Sequence, residues 1–147
     1  MSTRQYDALG RSSSVVHRNV QNVTLASTAS GTADYDAAGR RTKRTGEDGS
    51  YWQYGYDPRG EVTAGQRRLS GGTLLAGWQF GYGYDAIGNR TTAATGGDAA
   101  GGNLRVASYS ADALNRYTAR DIPGYVDLLG SSTADAAITV NGLAVDR

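Results

Sequence analysis

The stretch Trp52-Gln53-Tyr54-Gly55-Tyr56-Asp57-Pro58-Arg59-Gly60 joins a strand pattern to a turn pattern. Its aromatic residues alternate with Gln and Gly, which is the period of two expected of a β-strand with one aromatic face. Asp57 suits the first position of a type I turn, where its carboxylate accepts hydrogen bonds from backbone amides ahead, and Pro58 fits the second position. Gly60 stands where a left-handed residue completes the turn with a G1 bulge. The stretch therefore predicts a strand, a tight turn and a return strand.

This pattern occurs five times along the chain. Each copy has Asp, two variable residues and then Gly or Asn, with a hydroxyl residue three positions further on; Tyr precedes Asp in four copies. From Asp to Asp the spacings are 29, 21, 28 and 27 residues. Repetition at this period indicates a tandem array of β-hairpins. The repeat motif comprises Tyr6, Asp7, Gly10, Tyr35, Asp36, Gly39, Tyr56, Asp57, Gly60, Tyr84, Asp85, Gly88, Asp112 and Asn115.

The segments on either side of the turns also have strand character. A second aromatic alternation, Trp78, Phe80, Tyr82 and Tyr84, precedes the fourth turn. After the second turn, hydroxyl and charged residues alternate over 40–45, which suits an exposed return strand. Gly-rich segments between the copies, at 46–49, 69–72 and 94–102, are predicted to be variable outer loops. We expect an all-β array over residues 1–121.

Composition limits the size of any core. The 147 residues include Gly 21 and Tyr 10 but only Phe 1, and Leu, Ile and Val are sparse. Large side chains with a polar tip suit half-buried strands, so a compact globule with one thick core is not expected. Net charge is +1 and Cys is absent. These numbers give no reason to expect a nucleic-acid partner or thiolate metal site, and no apolar run approaches the length of a membrane span.

The pattern Tyr-x-Tyr-Asp-x-x-Gly-x-x-Thr resembles the YD repeats of Rhs proteins, insecticidal toxin complexes and teneurins. The resemblance covers roughly residues 4–120. It implies a long antiparallel sheet that curves and spirals into a hollow shell, which in bacterial members commonly encloses a toxic polypeptide. It also implies a place outside the cell or on its surface, as part of a larger bacterial protein, although the first residues of this chain lack an apolar signal segment.

The last part of the chain has a different character. Asn141-Gly142 lies between two apolar runs, which is a strong signal for a two-residue hairpin turn. We interpret residues 122–147 as the start of a small β-sandwich-like module, cut off at Arg147. The conserved core region that follows the repeats in longer family members is not found here. Asp57-Pro58-Arg59-Gly60 resembles one of its elements but is in register with the other four turns, which favours an ordinary turn.

Residue types that support catalysis are few. His17 is the only histidine, and Ser12, Ser13 and Ser14 near it lack a nucleophile-elbow motif. Among the carboxylates that the turns do not use, Glu47 and Glu61 form no evident pair for glycoside hydrolysis. We therefore expect no enzymatic activity, no cofactor and no metal.

Two kinds of partner are compatible with the sequence. The first is other segments of a longer chain, or further copies of this one, added at open strand edges. The alternative is carbohydrate, stacked on exposed aromatic rings; the candidate residues are Trp52, Trp78, Tyr51 and Tyr109. Packing of the same rings against the sheet is the simpler interpretation. The leading hypothesis is a structural segment of a shell that supports or encloses a partner polypeptide.

Overall fold

The computed structural model describes residues 1–31, 34–124, 139–140 and 143–144. Every regular element in these ranges is a β-strand, and ten of them form one sheet in sequence order, each antiparallel to the next. The all-β array of hairpins is thereby confirmed. The strands are β1 (Ser2–Tyr6), β2 (Ser12–Arg18), β3 (Thr24–Ala29), β4 (Lys43–Gly46), β5 (Tyr51–Tyr56), β6 (Val62–Arg68), β7 (Leu74–Tyr84), β8 (Arg90–Gly96), β9 (Leu104–Ala111) and β10 (Tyr117–Arg120).

Two further short strands, β11 (Thr139–Val140) and β12 (Leu143–Ala144), form a separate antiparallel pair. Thr139 lies opposite Ala144 and Val140 opposite Leu143. The predicted Asn-Gly turn between them, and most of the module expected over 122–147, lie outside the described residues.

The nine turns between the ten strands share one backbone geometry. In each, the amide of the first residue donates to the carbonyl four positions on, and the amide of the fourth residue donates back to the first carbonyl, at 2.7–3.3 Å. The fourth residue always has a φ between 60° and 93°. This is the type I turn with a left-handed fourth residue. The fourth residues are Gly10, Asn22, Gly39, Gly49, Gly60, Gly72, Gly88, Gly101 and Asn115.

These turns lie alternately at the two ends of the strands. We call the end with the five Asp-x-x-Gly or Asp-x-x-Asn turns the Asp-turn end. The opposite end carries the turns 19–22, 46–49, 69–72 and 98–101. The segments that were predicted to be variable outer loops therefore contain the same turn as the repeats, with less uniform side chains.

The sheet is a single layer with little apolar interior. In the described residues, the buried hydrophobic side chains are those of Ala93 and Ala107. The aromatic face, defined by Trp52, Trp78 and Phe80, has its rings packed against one another: the Trp52 ring centroid lies 6.0 Å from that of Trp78 and 5.9 Å from that of Phe80. The predicted thin, aromatic-rich packing is thus present.

Small residues line the other face. Gly55 pairs with Ala64, Ala64 with Gly81, and Gly81 with Ala94 across four neighbouring strands. On the same face Gln79 is buried, and its amide Nε2 donates to the carbonyl of Asp98 at 2.5 Å. Because a buried position of this face is filled by a hydrogen-bonded Gln79 and not by an apolar side chain, the sheet depends in part on polar contacts.

Candidate functional site: the Asp-turn end and the aromatic face

The five repeat aspartates bind the backbone of their own turns. In each turn, Oδ1 accepts hydrogen bonds from the amides two and four residues ahead, at 2.8–3.0 Å. The carboxylate thereby satisfies amides that the tight reversal leaves without a strand partner. The structure places Asp7, Asp36, Asp57, Asp85 and Asp112 in this same role.

The residue that follows the turn Gly or Asn binds the other carboxylate oxygen. Arg11 and Arg40 each place Nε 2.7 Å from Oδ2 of the turn Asp, and Arg116 does so at 2.9 Å. Asn89 donates its side-chain amide to Asp85 at 2.9 Å. This column was not predicted from the sequence, although three of its five residues are Arg, each four positions after the Asp.

The third turn departs from the pattern. Glu61 occupies the column, and Arg59 lies between the two acids, 3.4 Å from Asp57 Oδ2 and 2.6 Å from Glu61 Oε2. Burial, together with a hydrogen bond to Asp57, raises the pKa of the Glu61 carboxyl above its ordinary value. The turn thus keeps its cation by moving the Arg two positions earlier.

The turns lower the pKa of their aspartates. The backbone amide and the guanidinium of Arg116 hold the pKa of Asp112 below its ordinary value. For Asp7 and Asp36, partial burial raises the pKa, but hydrogen bonds from the Arg four residues on outweigh it and the net shift is downward. The ionised carboxylate is therefore the form that the folded turn stabilises.

Tyrosine hydroxyls connect successive turns. Tyr35 donates to the carbonyl of Ser12 at 2.6 Å, Tyr56 to that of Arg41 at 2.8 Å and Tyr84 to that of Val62 at 3.1 Å. Each acceptor lies five residues after the Asp of the preceding turn. The Tyr of the motif therefore reaches back to a fixed point on the previous repeat, which explains why Tyr rather than Phe fills this column.

The fifth repeat replaces the missing tyrosine from the opposite strand. Ala111 occupies the Tyr column, and its cross-strand neighbour is Tyr117. The Tyr117 hydroxyl accepts a hydrogen bond from the amide of Arg90 at 2.9 Å, and Arg90 lies five residues after Asp85. The link between repeats four and five is thus present although the motif is degenerate.

Arginines complete the connection between turns. Arg11 lies over the ring of Tyr35, with Cζ 4.4 Å from the centroid, and Arg40 lies over that of Tyr56 at 4.7 Å. Arg40 also donates to the carbonyl of Asp57 at 3.1 Å. We call these Tyr and Arg contacts between neighbouring turns the Tyr–Arg ladder. Arg40 was predicted to lie on an exposed strand, but its side chain is half-buried in the Tyr–Arg ladder.

The ladder continues through the remaining turns with other side chains. Arg59 donates to the carbonyl of Asp85 at 2.7 Å, and Asn89 donates to Oδ1 of Asn115 at 3.3 Å. Every repeat in the described sheet is therefore joined to the next by side chains at the Asp-turn end.

The aromatic face contains a hollow of about 450 Å³ beside Trp52. Arg44 and Arg67 lie directly opposite Trp52 on the two neighbouring strands. The Arg67 guanidinium also lies over the ring of Trp78, 5.3 Å from its centroid, and donates to the hydroxyl of Ser50 at 3.2 Å. A flat indole between two cations offers both a stacking surface and hydrogen-bond donors.

The four residues suggested for sugar stacking do not form one site. Trp52 and Trp78 are in contact on the aromatic face, and Trp78 is 42% exposed. Tyr51 lies on the other face beneath Lys43, whose Nζ is 4.5 Å from its ring centroid. Tyr109 lies four strands from Trp52 and packs against Tyr117 at 5.5 Å. Only the tryptophan pair therefore resembles a binding platform.

The histidine and the serines considered for catalysis all lie on β2. His17 is exposed, and its Nδ1 lies 2.8 Å from the hydroxyl of Ser2 rather than from a serine of 12–14. In the part of the chain that the structure describes, no cluster of three or more His, Cys, Asp or Glu side chains could hold a metal ion. The described residues also contain no helix long and apolar enough to cross a membrane.

Comparison with known proteins agrees with the repeat pattern. The RHS Repeat family model matches residues 35–74, and the predicted resemblance to the YD-repeat family is confirmed. The crystal structure of TcdB2-TccC3-Cdc42 aligns with 79% of this chain at 16% identity and a TM-score of 0.50, which shows a common fold. That of TcdB2-TccC3-TEV aligns with 79% at 17% identity and a TM-score of 0.48. The chain spans 7% of the length of each. None of the curated proteins compared matches it.

Proposed function

We propose that this chain is a non-catalytic segment of a YD-repeat β-shell, which supports or encloses a partner polypeptide. The observation that carries the proposal is the Tyr–Arg ladder, which joins each hairpin to the next along one end of a single-layer sheet. Such contacts propagate an array sideways and do not build a closed core. The residues beyond the repeats, 122–147, are proposed to begin a separate β module.

The energetics of the sheet support a role within a larger assembly. Fixing each residue costs about 1–2 kcal/mol of backbone entropy. Burial of Ala93 and Ala107 offsets little of this, and large apolar side chains such as Trp78, Val106 and Leu25 stay 42%, 52% and 65% exposed. A sheet open on both faces gains stability when neighbouring repeats or an enclosed chain cover it.

A bacterial protein outside the cell is the setting we propose, because the repeat resembles those of toxin-complex shells. The proposal is tested by expressing the chain together with the coding sequence that flanks it in its genome and imaging the product by electron microscopy. We expect a hollow particle with a β-sheet wall and a protease-resistant polypeptide inside. A solid particle, or an empty wall with no protected chain, would contradict the enclosing role.

Carbohydrate binding is a second candidate, favoured by the exposed Trp78 beside Trp52 and by the hollow that Arg44 and Arg67 border. Aromatic faces flanked by hydrogen-bond donors suit sugar rings. The role would be carried by the surface of the same sheet and needs no further domain.

Indole fluorescence tests this candidate. Titration with neutral oligosaccharides should shift the emission of the unmodified chain, and Trp78→Ala should abolish the shift. Tyr51→Ala and Tyr109→Ala serve as matched controls, because the ring of Tyr51 lies on the other face and that of Tyr109 lies four strands away from Trp52. Equal loss in all three variants, or no shift in the unmodified chain, would contradict a site at the tryptophan pair.

A further inference from the structure

The Tyr–Arg ladder has two open ends in the described sheet. At one end, Tyr6 belongs to the first turn of the described sheet, and its side chain is 59% exposed. At the other, Arg116 pairs with Asp112 but its side chain is 71% exposed, with no later tyrosine ring beneath it in the described residues. One end of the sheet thus has a free ladder tyrosine, and the other end has an arginine of the kind that lies over such a tyrosine ring elsewhere in the ladder.

Neighbouring repeats also share a strand register. The residue seven positions after one Asp lies opposite the residue four positions before the next Asp in three of the four junctions. These pairs are Lys43 with Gln53, Ala64 with Gly81 and Thr92 with Ser108. The first junction differs because extra residues follow β3. Applied to the open ends, the rule places Ala119 of β10 opposite Thr3 of β1.

We propose that two copies of this chain join head to tail, with β10 of one pairing antiparallel with β1 of the other and Ala119 opposite Thr3. The hydroxyl of Tyr6 then donates to the carbonyl of Tyr117, which lies five residues after Asp112. The Arg116 guanidinium lies against the ring of Tyr6. The inference rests on the proposed function, since it treats the second copy as the next repeats of the array.

The two edge strands are open to pairing, but their charges should make the association depend on salt. All residues of β1 and β10 are exposed. Arg4 and Arg120 would lie diagonally across the junction on the same face, where like charges oppose association. Because salt screens this repulsion, head-to-tail association should strengthen as ionic strength rises.

The junction can be captured by a disulfide, because the sequence contains no cysteine. The backbone amide of Ser30 donates to the carbonyl of Ser13, and that of Tyr54 to the carbonyl of Thr42. The next cross-strand pairs, Ser14 with Ala29 and Lys43 with Gln53, are therefore non-hydrogen-bonded pairs. Thr3 and Ala119 correspond to such a pair, where Cα atoms lie about 4.5 Å apart, within the range of a disulfide.

The experiment mixes two single-cysteine proteins, Thr3→Cys and Ala119→Cys, in a thiol–disulfide buffer and identifies the dimers by mass spectrometry. The mixed dimer should exceed both symmetric dimers. The control mixture, Arg4→Cys with Ala119→Cys, should give at least about tenfold less, because a shift of one residue turns the side chain to the other face. Equal yields in the two mixtures, or dominance of a symmetric dimer, would overturn the register.

Sedimentation velocity provides the second measurement. Tyr6→Phe should weaken dimerisation about two- to tenfold by removing one hydrogen bond, and should leave the thermal melt of the dilute chain unchanged because Tyr6 is exposed. A chain that stays monomeric across a hundredfold concentration range, or a Tyr6→Phe protein that dimerises as before, would overturn the inference. Neither result affects the imaging test of the shell, so the two proposals fail separately.

Discussion

The two ends of the sheet carry the same backbone turn but different side chains. At the Asp-turn end, all five turns begin with Asp and four of them connect to the next through Tyr, Arg or Asn. At the opposite end, the turns begin with Asn19, Gly46, Leu69 and Asp98. A left-handed fourth residue is common to both ends. The turn itself therefore needs little more than Gly or Asn, and the Tyr and Arg columns serve the contacts between repeats.

This difference explains which parts of the sequence appear conserved within the array. The opposite end needs only local reversal, so its first residue varies from Asn to Leu. The Asp-turn end must match its neighbour on both sides, so a departure at one position is accompanied by another, as with Ala111 and Tyr117 or with Glu61 and Arg59. The side chains that recur from repeat to repeat are thus the ones that make contacts between neighbouring hairpins.

Acid should have the largest effect, because it acts on both ends at once. Among the described residues, seven aspartates have a pKa below the ordinary 3.8, five at the Asp-turn end and two, Asp48 and Asp98, at the opposite end. A lowered folded pKa gives stability that is present above the unfolded pKa and is lost as pH falls through the folded one. Glu61, with its raised pKa, acts in the reverse direction.

We therefore expect the urea midpoint, followed by circular dichroism, to fall steadily below about pH 4. The far-ultraviolet signal of strand and turn should disappear in one transition. A midpoint that stays constant down to pH 2 would mean that the carboxylates do not hold the turns.

Replacing a turn glycine tests whether the two ends share their backbone. Gly39→Val at the Asp-turn end and Gly72→Val at the opposite end should each cost about 1–3 kcal/mol, because a β-branched residue is strained at positive φ. A Cβ at Gly39 would have no neighbouring atom within 4 Å, so the loss of stability there would come from backbone strain and not from a steric clash. Gly39→Asn and Gly72→Asn should be milder, since Asn22 and Asn115 already hold this conformation. Thermal melts in which Val and Asn behave alike would contradict the turn assignment.

Much of the Asp-turn end could be predicted from sequence because its signals are local. Asp, Gly and Asn act on the backbone within five residues, and the alternation of Trp52, Tyr54 and Tyr56 reports one strand at a time. The same logic would have found the turns 19–22 and 98–101, which also read Asx-x-x-Asn or Asx-x-x-Gly. The segment 94–102 was interpreted as a variable loop, and the turn at 19–22 was not predicted.

The ladder and the aromatic face could not be derived in this way. Tyr35 and Ser12 are 23 residues apart, and their hydrogen bond depends on the register between β2 and β3. Likewise, Tyr51 and Trp52 are neighbours in sequence but lie on opposite faces. Only the pairing of strands shows that Trp78 contacts Trp52 and not Tyr51. Contacts between strands need a register, which a single sequence leaves open.

Removing one ladder hydroxyl should have a smaller effect than straining a turn. Tyr56→Phe keeps the ring beneath Arg40 but removes the bond to the carbonyl of Arg41. The expected loss is about 0.5–1.5 kcal/mol in the free energy of unfolding. Tyr51→Phe is the control on the other face and should change stability little. If both variants lose the same amount, the hydroxyl contacts between repeats contribute nothing specific.

The smallest expected effect is that of replacing Asp98, at the opposite end, with asparagine. Asp98 binds the amides of Ala100 and Gly102, and its second oxygen accepts from the neutral side chain of Asn103. Asn at this position keeps the oxygen that binds the amides, as Asn19 does in the first turn of the same end. Asp98→Asn should therefore shift the melting temperature only slightly.

Asp36→Asn should lower the melting temperature more, because it places a side-chain amide against the Nε of Arg40, which then loses its acceptor at 2.7 Å. Arg40 also contacts Asp57 and Tyr56, so the loss extends to the next repeat. The two variants are compared by calorimetry at pH 7 and again at pH 3. Their difference should shrink at the lower pH, because pH 3 lies below the ordinary carboxyl pKa of 3.8 and part of the stability that ionised Asp36 gives is lost there. Equal shifts at pH 7 would show that the Asp–Arg pair is no more than another turn contact, and the distinction between the two ends would fail.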